Sequence, residues 1–295
     1  MQIRNYFYVK PDTMSEDGRS NRIGATLEKR SRYMSDVMYS LYKDQIHDKI
    51  KPKGKTAFLY VLGGADHHSH SRDFRDAVPI APSSMPILSQ SGYIASKLAN
   101  RFDGVEFMSL NANTCASSMY SLYEAERLLN SGFDDVIIYA EEWVENVEVF
   151  FFKSLKIDVV CSDGFAVMHL DNRDGGIATV SDTTWLWNKD KSAFGISEEG
   201  YIKSFNVQRE NAPEIIKTHG TGTDANEAAE NSAIDTVFGS EFPRMSIKNE
   251  IGHSQGASAL LELCMMLSEH DYKTFVCSAS GLGGFYGSCY VERTE

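Results

Sequence analysis

The stretch from Asn111 to Ser131, NANTCASSMYSLYEAERLLNS, joins a loop of small residues to an amphipathic helical pattern. The apolar segment GVEFMSL, from Gly104 to Leu110, predicts a strand before the loop. Gly132 ends the helix, and DDVIIYA, from Asp134 to Ala140, predicts the next strand. This order of strand, loop, helix and strand is typical of an α/β fold.

The loop places Cys115 at the start of the predicted helix. A cysteine at a helix N-terminus lies at the positive end of the helix dipole, which favours its thiolate and raises its reactivity. Cys115 is therefore a candidate nucleophile for covalent catalysis. The alternative is that Cys115 is a buried structural cysteine, because free cysteines are often core residues.

Composition limits the classes of function that the chain can have. Its 295 residues, 42% of them hydrophobic, can bury a large core as one large domain or two fused halves. The net charge of -12 argues against nucleic acid or an anionic membrane as the main partner, although a short basic block, KPKGK, stands at 51–55. An acidic carrier protein would therefore need a local basic patch. The five cysteines are an odd number in apolar contexts, which indicates reduced thiols.

No targeting segment is predicted. The N-terminus, MQIRNYFYVK, lacks the basic-then-apolar order of a secretion signal, and no apolar run has the length of a membrane span. We therefore expect a cytoplasmic protein.

The rest of the chain also alternates strands with helices. A helix is predicted from Glu28 to Ile50 and another from Ser91 to Arg101, and the glycine-rich segment GGIATVSDTTWLW is expected to continue the strand Ser162 to Leu170 as a hairpin. The other predicted strands are Gln2 to Val9, Thr56 to Leu62, Glu214 to Gly220, Arg244 to Asn249, Thr274 to Ser280 and Tyr286 to Glu292. The run Phe150 to Phe152 is interpreted as core or as a subunit contact.

Two segments repeat one plan of strand, loop with a reactive residue, helix and strand. They are Gly104 to Ala140, with Cys115 in its loop, and Arg244 to Ser280, with His253 in its loop. We therefore expect two related α/β halves whose strand ends deliver residues to a shared cleft.

A metal site is not expected. His67, His68 and His70 stand close together in a loop from Gly63 to Pro86, but no carboxylate or cysteine is spaced to complete a ligand set.

Three further loops carry groups suited to acyl transfer. His219 lies in THGTGT, and Lys248 precedes His253 by five residues in SIKNEIGHSQG. Both histidines follow predicted strands in Gly/Ser/Thr surroundings that let a substrate approach the backbone. The loop GLGGF, from Gly281 to Phe285, could direct backbone N–H groups at an oxyanion.

With these motifs the chain resembles the β-ketoacyl synthases of the thiolase superfamily, as a shortened and divergent member. The resemblance covers roughly Val105 to Glu292 and rests on NTCASS around Cys115, HGTGT at His219 to Thr223, the Lys248/His253 motif and GLGGF. It implies a thiolase-like fold with two pseudo-repeated halves in a layered αβαβα arrangement. The expected halves are 1–170, with Cys115, and 171–295, with both histidines and Lys248.

The resemblance also implies a role for each site residue. Cys115 would accept an acyl group, with the N–H groups of Cys115 and Leu282 as the oxyanion hole, and His219 and His253 would stabilise the enolate of a malonyl thioester. Lys248 would orient His253, with Glu230 as its partner, although the two could also form a purely structural ion pair. The expected substrate contacts are Thr221, Thr223, Ser280, Gly283 and Gly284.

The expected substrates are thioesters of phosphopantetheine, on an acyl carrier protein or on coenzyme A, and no cofactor is expected on the chain itself. The expected assembly is a homodimer, with a heterodimer with another synthase subunit as the alternative. Ser280 and Leu282 stand where the family usually has aromatic residues, so the acyl pocket is expected to be altered.

The function implied by the resemblance is decarboxylative condensation of the acyl group on Cys115 with a malonyl thioester, in specialised fatty-acid or polyketide biosynthesis. Two other functions are compatible with these residues. One is an acyltransferase that uses acyl-Cys115 without malonyl decarboxylation. The other is a non-catalytic partner of a full-length synthase, in the manner of a chain-length factor.

Overall fold

The computed structural model describes residues 1–15, 18–27, 37–63, 91–144, 146–154, 157–189 and 195–294. Strands and helices are numbered in chain order. Ten strands form one hydrogen-bonded sheet, and three short strands, β2 (Thr13–Met14), β3 (Ser20–Arg22) and β7 (Cys161–Ser162), form a second one.

The large sheet consists of two runs of five strands with the same order. In the first run the spatial order is β5-β4-β6-β8-β1, formed by β1 (Gln2–Val9), β4 (Thr56–Val61), β5 (Val105–Asn111), β6 (Asp135–Glu142) and β8 (Gly164–Asp171). In the second run it is β11-β10-β12-β13-β9, formed by β9 (Ala178–Trp187), β10 (Ile215–Lys217), β11 (Arg244–Met245), β12 (Thr274–Gly281) and β13 (Phe285–Arg293). Numbered by position in the chain, each run reads third, second, fourth, fifth, first, so the architecture is duplicated.

The helices are α1 (Gly24–Leu27), α2 (Val37–Lys49), α3 (Ser91–Ala99), α4 (Ser117–Asn130), α5 (Asn146–Ser154), α6 (Glu198–Gln208), α7 (Asp224–Phe238), α8 (Lys248–Ile251) and α9 (Ser258–Glu269). Single 3₁₀ turns precede α4 at Thr114–Ala116 and α9 at Gln255–Ala257, and a third follows α6 at Arg209–Asn211.

The two central helices lie between the two runs of strands. Helix α4 contacts β4 and β6 of the first run and β9 and β13 of the second, while α9 contacts α4, β1, β8 and β12. Met119, Leu122 and Ala125 on α4 are fully buried, and burying each larger side chain contributes about 1.5–3 kcal/mol. Helices α2 and α3 pack on the outer face of the first run, and α6 and α7 on that of the second. The five layers confirm the predicted αβαβα thiolase-like fold.

Several predicted elements differ from the structure. The expected hairpin between 162–170 and 175–187 is wrong, because β1 lies between β8 and β9: β1 pairs with β8 along its length and with β9 only at Gln2 and Ile3. The predicted helix from Glu28 is described only from Val37, and the histidine-rich loop lies outside the described residues. Within the described parts of the chain, the helices are too short or too polar to cross a membrane.

Candidate active site

Cys115 occupies the 3₁₀ turn between β5 and α4, and its side chain is nearly buried, with 8% of the residue exposed. Thr114 has a φ of 54°, a value that is uncommon for a non-glycine residue. Ser117 stabilises the turn, because its Oγ accepts a hydrogen bond from the Asn113 N–H at 2.6 Å and donates one to the Thr114 carbonyl at 2.7 Å. The sequence therefore forms a rigid, sharply bent loop that presents the thiol at the N-terminal end of α4.

The second half repeats this loop without the thiol. Gln255 has a φ of 39° and precedes α9 in a matching 3₁₀ turn, in which Gly256 stands at the position equivalent to Cys115. Ser118, in the first turn of α4, donates a hydrogen bond from its Oγ to the Gly256 carbonyl, so the start of α4 is in direct contact with this second loop. The duplication thus explains why the nucleophile and the His253 loop lie side by side.

The glycine-rich loop packs against the nucleophile loop. A Cβ atom on Gly281 would lie 2.4 Å from Thr114 Oγ1 and 3.0 Å from the Asn113 carbonyl oxygen, so only glycine fits at this close approach. Thr114 Oγ1 also donates a hydrogen bond to the Leu282 carbonyl at 3.1 Å. The loop after β12 is therefore held against the Cys115 turn.

Separate contacts fix the backbones of the two histidines. The N–H groups of His219 and Gly220 donate to the Glu230 carboxylate at 2.7 and 3.0 Å. The His253 N–H donates to the Val160 carbonyl at 2.7 Å, and His253 Nδ1 lies 3.0 Å from Ser258 Oγ. With Nδ1 held by a hydroxyl group, Nε2 is the ring nitrogen of His253 that is left for a ligand.

Cys115, His219 and His253 line one cavity of about 180 Å³. Four of the other predicted residues also line it: Leu282, Thr221, Thr223 and Ser280. The other described residues that line the cavity are Phe152, Ile157, Val159, Ile196, Ala225, Asn226 and Gly281. The structure thus brings Cys115, His219 and His253, which are far apart in sequence, to the same cavity as residues from three further segments of the chain.

The remaining predicted residues lie elsewhere. Gly283 and Gly284 form the turn between β12 and β13, where their carbonyls accept hydrogen bonds from the Trp187 indole and the Asn188 N–H. Among the described residues that line the cavity, neither these glycines nor Lys248 nor Glu230 occur.

The expected partner of Lys248 needs correction. Lys248 Nζ lies 2.6 Å from Glu262 Oε1 and donates a hydrogen bond to the His219 carbonyl at 2.6 Å. Glu230 instead accepts hydrogen bonds from the loop backbone and from the Ser278 hydroxyl. Lys248 therefore holds the backbone of His219 and not the ring of His253. Its carboxylate partner is Glu262, because Glu230 already accepts hydrogen bonds from other groups.

Burial sets the charges of the site. It lowers the pKa of both imidazoles well below their usual value, and the nearby Lys248 ammonium lowers them further. Burial also lowers the pKa of Lys248 and raises that of Glu230, while the hydrogen bonds to Glu230 act in the opposite direction. At neutral pH His219 and His253 are therefore uncharged, and each ring can donate one N–H to a ligand.

A second cluster of ionisable side chains lies where β6 begins and β8 ends, at the opposite end of the first run of strands from Cys115. Asp135, His169 and Asp171 have side-chain atoms within 4.8 Å of one another, a spacing that a metal ion could bridge. However, Arg4 and Arg173 already form ion pairs with these carboxylates. Burial raises the pKa of Asp135, but hydrogen bonds from His169 and the Lys53 N–H outweigh it and lower the pKa to about 2. The cluster is an ion-pair network that closes this end of the sheet.

Parts of the sequence are similar to known proteins. Residues 200–278 match the profile of the β-ketoacyl synthase C-terminal domain. A reducing polyketide synthase of Cochliobolus heterostrophus is 26% identical over 80% of the chain, and a highly reducing polyketide synthase of Emericella nidulans is 25% identical over 65%. The chain spans only 11% and 9% of the length of these relatives.

Solved structures show the same fold. A β-ketoacyl synthase from Burkholderia phymatum superimposes with a TM-score of 0.78 at 14% identity, over 100% of this chain and 99% of the other. The type II polyketide complex AntDE:AntF and the ishigamide ketosynthase/chain length factor give TM-scores of 0.81 and 0.80, with the same identity and coverage. The chain therefore has the fold of these ketosynthases and is similar in sequence to the β-ketoacyl synthase C-terminal domain over residues 200–278.

The ketosynthase-like site contains residues that the sequence did not single out. Phe152, interpreted above as core or a subunit contact, lines the cavity, and so does Asn226. Lys217 and Glu262 are completely buried beside Lys248. The sequence contains a sign of both residues, because Lys217 interrupts an apolar strand and Glu262 interrupts the apolar helix SALLELCMMLSE. Charged residues are seldom fully buried unless they are paired, so each interruption indicates a buried ion pair.

Proposed function

We propose that this chain is a ketosynthase-type condensing enzyme that acts on acyl thioesters in polyketide biosynthesis. One observation carries the proposal: the thiol of Cys115 and the uncharged imidazoles of His219 and His253 line the same cavity. The similarity to two reducing polyketide synthases supports the pathway. Covalent acyl transfer needs a nucleophile, and malonyl decarboxylation needs donors for an enolate oxygen.

The first step loads the enzyme. The Cys115 thiolate attacks the carbonyl carbon of an acyl thioester, and the electron pair of the C=O bond moves to oxygen. The N–H groups of Cys115 and Leu282 are the proposed donors to this oxyanion. When the carbonyl re-forms, the original C–S bond breaks with its electron pair moving to sulfur, the carrier leaves as a thiolate and the acyl group remains on Sγ.

The second step makes the carbon nucleophile. A malonyl thioester loses carbon dioxide, and the electron pair of the broken C–C bond forms an enolate. His219 and His253 each donate an N–H to its oxygen, an interaction that is strong in a cavity with little water. The enolate carbon then attacks the carbonyl of acyl-Cys115, the C–S bond breaks, and a 3-oxoacyl thioester forms as Cys115 is released.

The proposed substrates carry a phosphopantetheine arm. Thr221 and Thr223 lie at the cavity and are the proposed contacts of this arm, together with Ser280. The AntDE:AntF structure contains an acyl carrier protein with its ketosynthase, which supports a carrier-bound substrate here. Coenzyme A thioesters remain the alternative, and no resident cofactor is part of the proposed mechanism.

The edge strand β5 offers a surface on which a partner chain could bind. Among the described strands its one neighbour is β4, and its Phe107, Met108 and Leu110 are each more than a third exposed. A long exposed apolar edge is a surface for strand pairing. We propose that a second ketosynthase-type chain covers it, either another copy or a partner subunit. Chain length factors accompany the ketosynthase in two of the similar structures, which supports the second option.

Product analysis tests the proposed function. The chain is incubated with a short acyl pantetheine thioester and a malonyl pantetheine thioester, and products are separated by mass, with Cys115→Ala as the control. A 3-oxoacyl product that requires Cys115 is expected. Acylation of Cys115 without extension would indicate an acyltransferase. Neither acylation nor extension, with pathway output unchanged in Cys115→Ala, would indicate a non-catalytic partner subunit.

A further inference from the structure

Glu262 on α9 lies between two buried lysines. Its Oε2 accepts a hydrogen bond from Lys217 Nζ at 2.5 Å, and its Oε1 lies 2.6 Å from Lys248 Nζ. The side chains of Lys217 and Glu262 are fully buried, and that of Lys248 is 4% exposed. Two ammonium groups thus share one carboxylate in a region that water does not reach.

Lys217 belongs to this cluster by its position in the fold. It is the last residue of β10, two residues before His219, and its Nζ also donates to the Ser278 carbonyl at 3.0 Å. Lys217 is not among the described residues that line the cavity. Any effect on the reaction must therefore pass through its charge or through the groups that it holds.

The surrounding charges balance only when Lys217 is counted. Glu230, on α7, faces the same region as a second buried carboxylate, and interacts electrostatically with Lys217. With both lysines protonated and both carboxylates ionised, the cluster is neutral. Without Lys217 one buried negative charge would remain beside His219 and His253. Among the described residues, three thiols also face the cluster. Cys277 pairs with Lys217 in the sheet, Cys289 interacts electrostatically with Lys217, and Cys115 interacts electrostatically with Lys248.

We propose that Lys217 is a positioning residue of the site. It fixes Glu262 against Lys248, and its charge offsets a buried carboxylate so that His219 and His253 stay uncharged in weakly acidic solution. The uncharged state is one that the proposed enolate step uses, so the catalytic consequence rests on the proposed function. The electrostatic effect on the two rings does not.

The supporting physical argument has a definite sign. Burial is the main reason why the pKa of His219 is low, and the Lys248 ammonium, the His253 ring and the Lys217 ammonium lower it further, in that order. The same lysines lower the pKa of His253. Removing the Lys217 charge therefore raises the pKa of both rings, and each ring takes up its proton at a higher pH than in the wild type.

The test uses Lys217→Met, which keeps the length of the side chain without its charge. Malonyl thioester decarboxylation is measured from pH 5 to pH 8. The acid limb of the pH–rate profile is expected to move to higher pH in Lys217→Met. The ratio of the rate at pH 5.5 to the rate at pH 8 should then be roughly threefold to tenfold lower than in the wild type. Lys217→Arg keeps the charge and is expected to keep the wild-type limb.

Lys203→Met is the matched control, because it removes the same charge from an exposed ion pair with Glu199 on α6. It is expected to leave the limb in place, since exposed charges are screened. A Lys217→Met limb that coincides with those of the wild type and Lys203→Met would overturn the proposal. A limb displaced equally in Lys217→Arg would also overturn it, because the charge would then not be the cause.

Ring titration by NMR separates this proposal from the proposed function. In the unmodified protein the rings of His219 and His253 are expected to stay uncharged at pH 5.5, and in Lys217→Met they are expected to titrate at higher pH. This titration does not depend on catalytic activity. Its wild-type part also does not depend on whether the Lys217→Met variant folds. Wild-type rings that are protonated at pH 5.5 would contradict the proposal. Absence of decarboxylation with normal titration would contradict only the proposed function.

Discussion

The imidazole rings of His219 and His253 meet edge to face, with their centroids 5.5 Å apart. They come from two loops of the second half of the fold, whereas Cys115, which lines the same cavity, comes from the first half. Two uncharged rings at this spacing can both donate to one small group between them. The geometry therefore suits stabilisation of a single oxyanion more than two separate proton transfers.

Stability should depend on pH through these two rings. Their folded-state pKa values lie below the value of about 6.5 in an unfolded chain, so the unfolded state binds more protons below that pH. The free energy of unfolding is therefore highest above pH 6.5 and falls as the pH decreases towards the folded-state values, by up to about 1.4 kcal/mol per ring and pH unit.

Urea unfolding between pH 7.5 and pH 5 measures this loss. The variant His219→Gln/His253→Gln is expected to lose less stability over that range than the wild type. His270→Gln, outside the cavity, serves as the control and should retain the wild-type slope. Equal slopes in the double variant and the wild type would show that the rings are not held uncharged by the fold.

Glu262→Gln tests the buried ion pairs. The substitution leaves Lys217 and Lys248 without their shared carboxylate, and removing one partner of a buried ion pair costs about 3–5 kcal/mol. Urea unfolding should show a loss of this size. Glu199→Gln, which removes a carboxylate from the exposed pair with Lys203, is the control and should change stability by less than about 1 kcal/mol. Similar small losses in both variants would argue against a buried pair.

Gly281→Ala tests the contact between the two loops at the cavity. A Cβ atom there would lie 2.4 Å from Thr114 Oγ1, so the glycine loop must move away from the Cys115 turn. Acylation of Cys115 is expected to slow by about 10²-fold, because a displacement of about 1 Å in a catalytic site has an effect of this order. Acylation reactions that are quenched at successive times and analysed by intact mass give the rate of acylation.

Gly92→Ala is the matched control for that substitution. Gly92 lies in α3, and an added Cβ atom would have no neighbour within 4 Å. It is expected to acylate at the wild-type rate and to gain up to about 1 kcal/mol of stability. Wild-type acylation in Gly281→Ala as well would show that the glycine loop does not position the nucleophile.

Met108→Lys tests the proposed use of the β5 edge. A lysine on an exposed edge strand opposes pairing with another strand. Light scattering of the variant should show a lower assembly mass than that of the wild type, alone or with a partner subunit. Val207→Lys changes an exposed apolar residue on α6 and should leave the assembly unchanged. An unchanged mass in Met108→Lys would exclude β5 as the interface.

Local sequence patterns were enough to predict the alternation of strands and helices and the three loops of the site. Cys115, His219 and His253 each follow a strand in surroundings of small residues, and the structure places all three at one cavity. The repeat of strand, loop and helix also predicted the duplicated architecture. These features depend on short-range periodicity and on turn residues, which a single sequence displays directly.

The errors concern contacts that depend on the whole fold. The hairpin failed because β1, about 160 residues away in the chain, pairs with β8. The partner of Lys248 was misassigned because Glu230 on α7 is close to His219 in sequence, whereas Glu262 reaches Lys248 only when α9 packs between the strand runs. Phe152 is an apolar residue in an aromatic run, a pattern that does not distinguish a cavity wall from a core.

Intact mass followed by peptide mapping tests the central claim, that Cys115 is the acyl acceptor. The protein is incubated with an acyl pantetheine thioester at neutral pH, beside Cys115→Ala and Cys264→Ala, which removes a fully buried thiol on α9. We predict one acyl adduct on the peptide with Cys115 in the wild type and in Cys264→Ala, and none in Cys115→Ala. An adduct that persists in Cys115→Ala, or a wild-type protein that stays unmodified, would contradict the account.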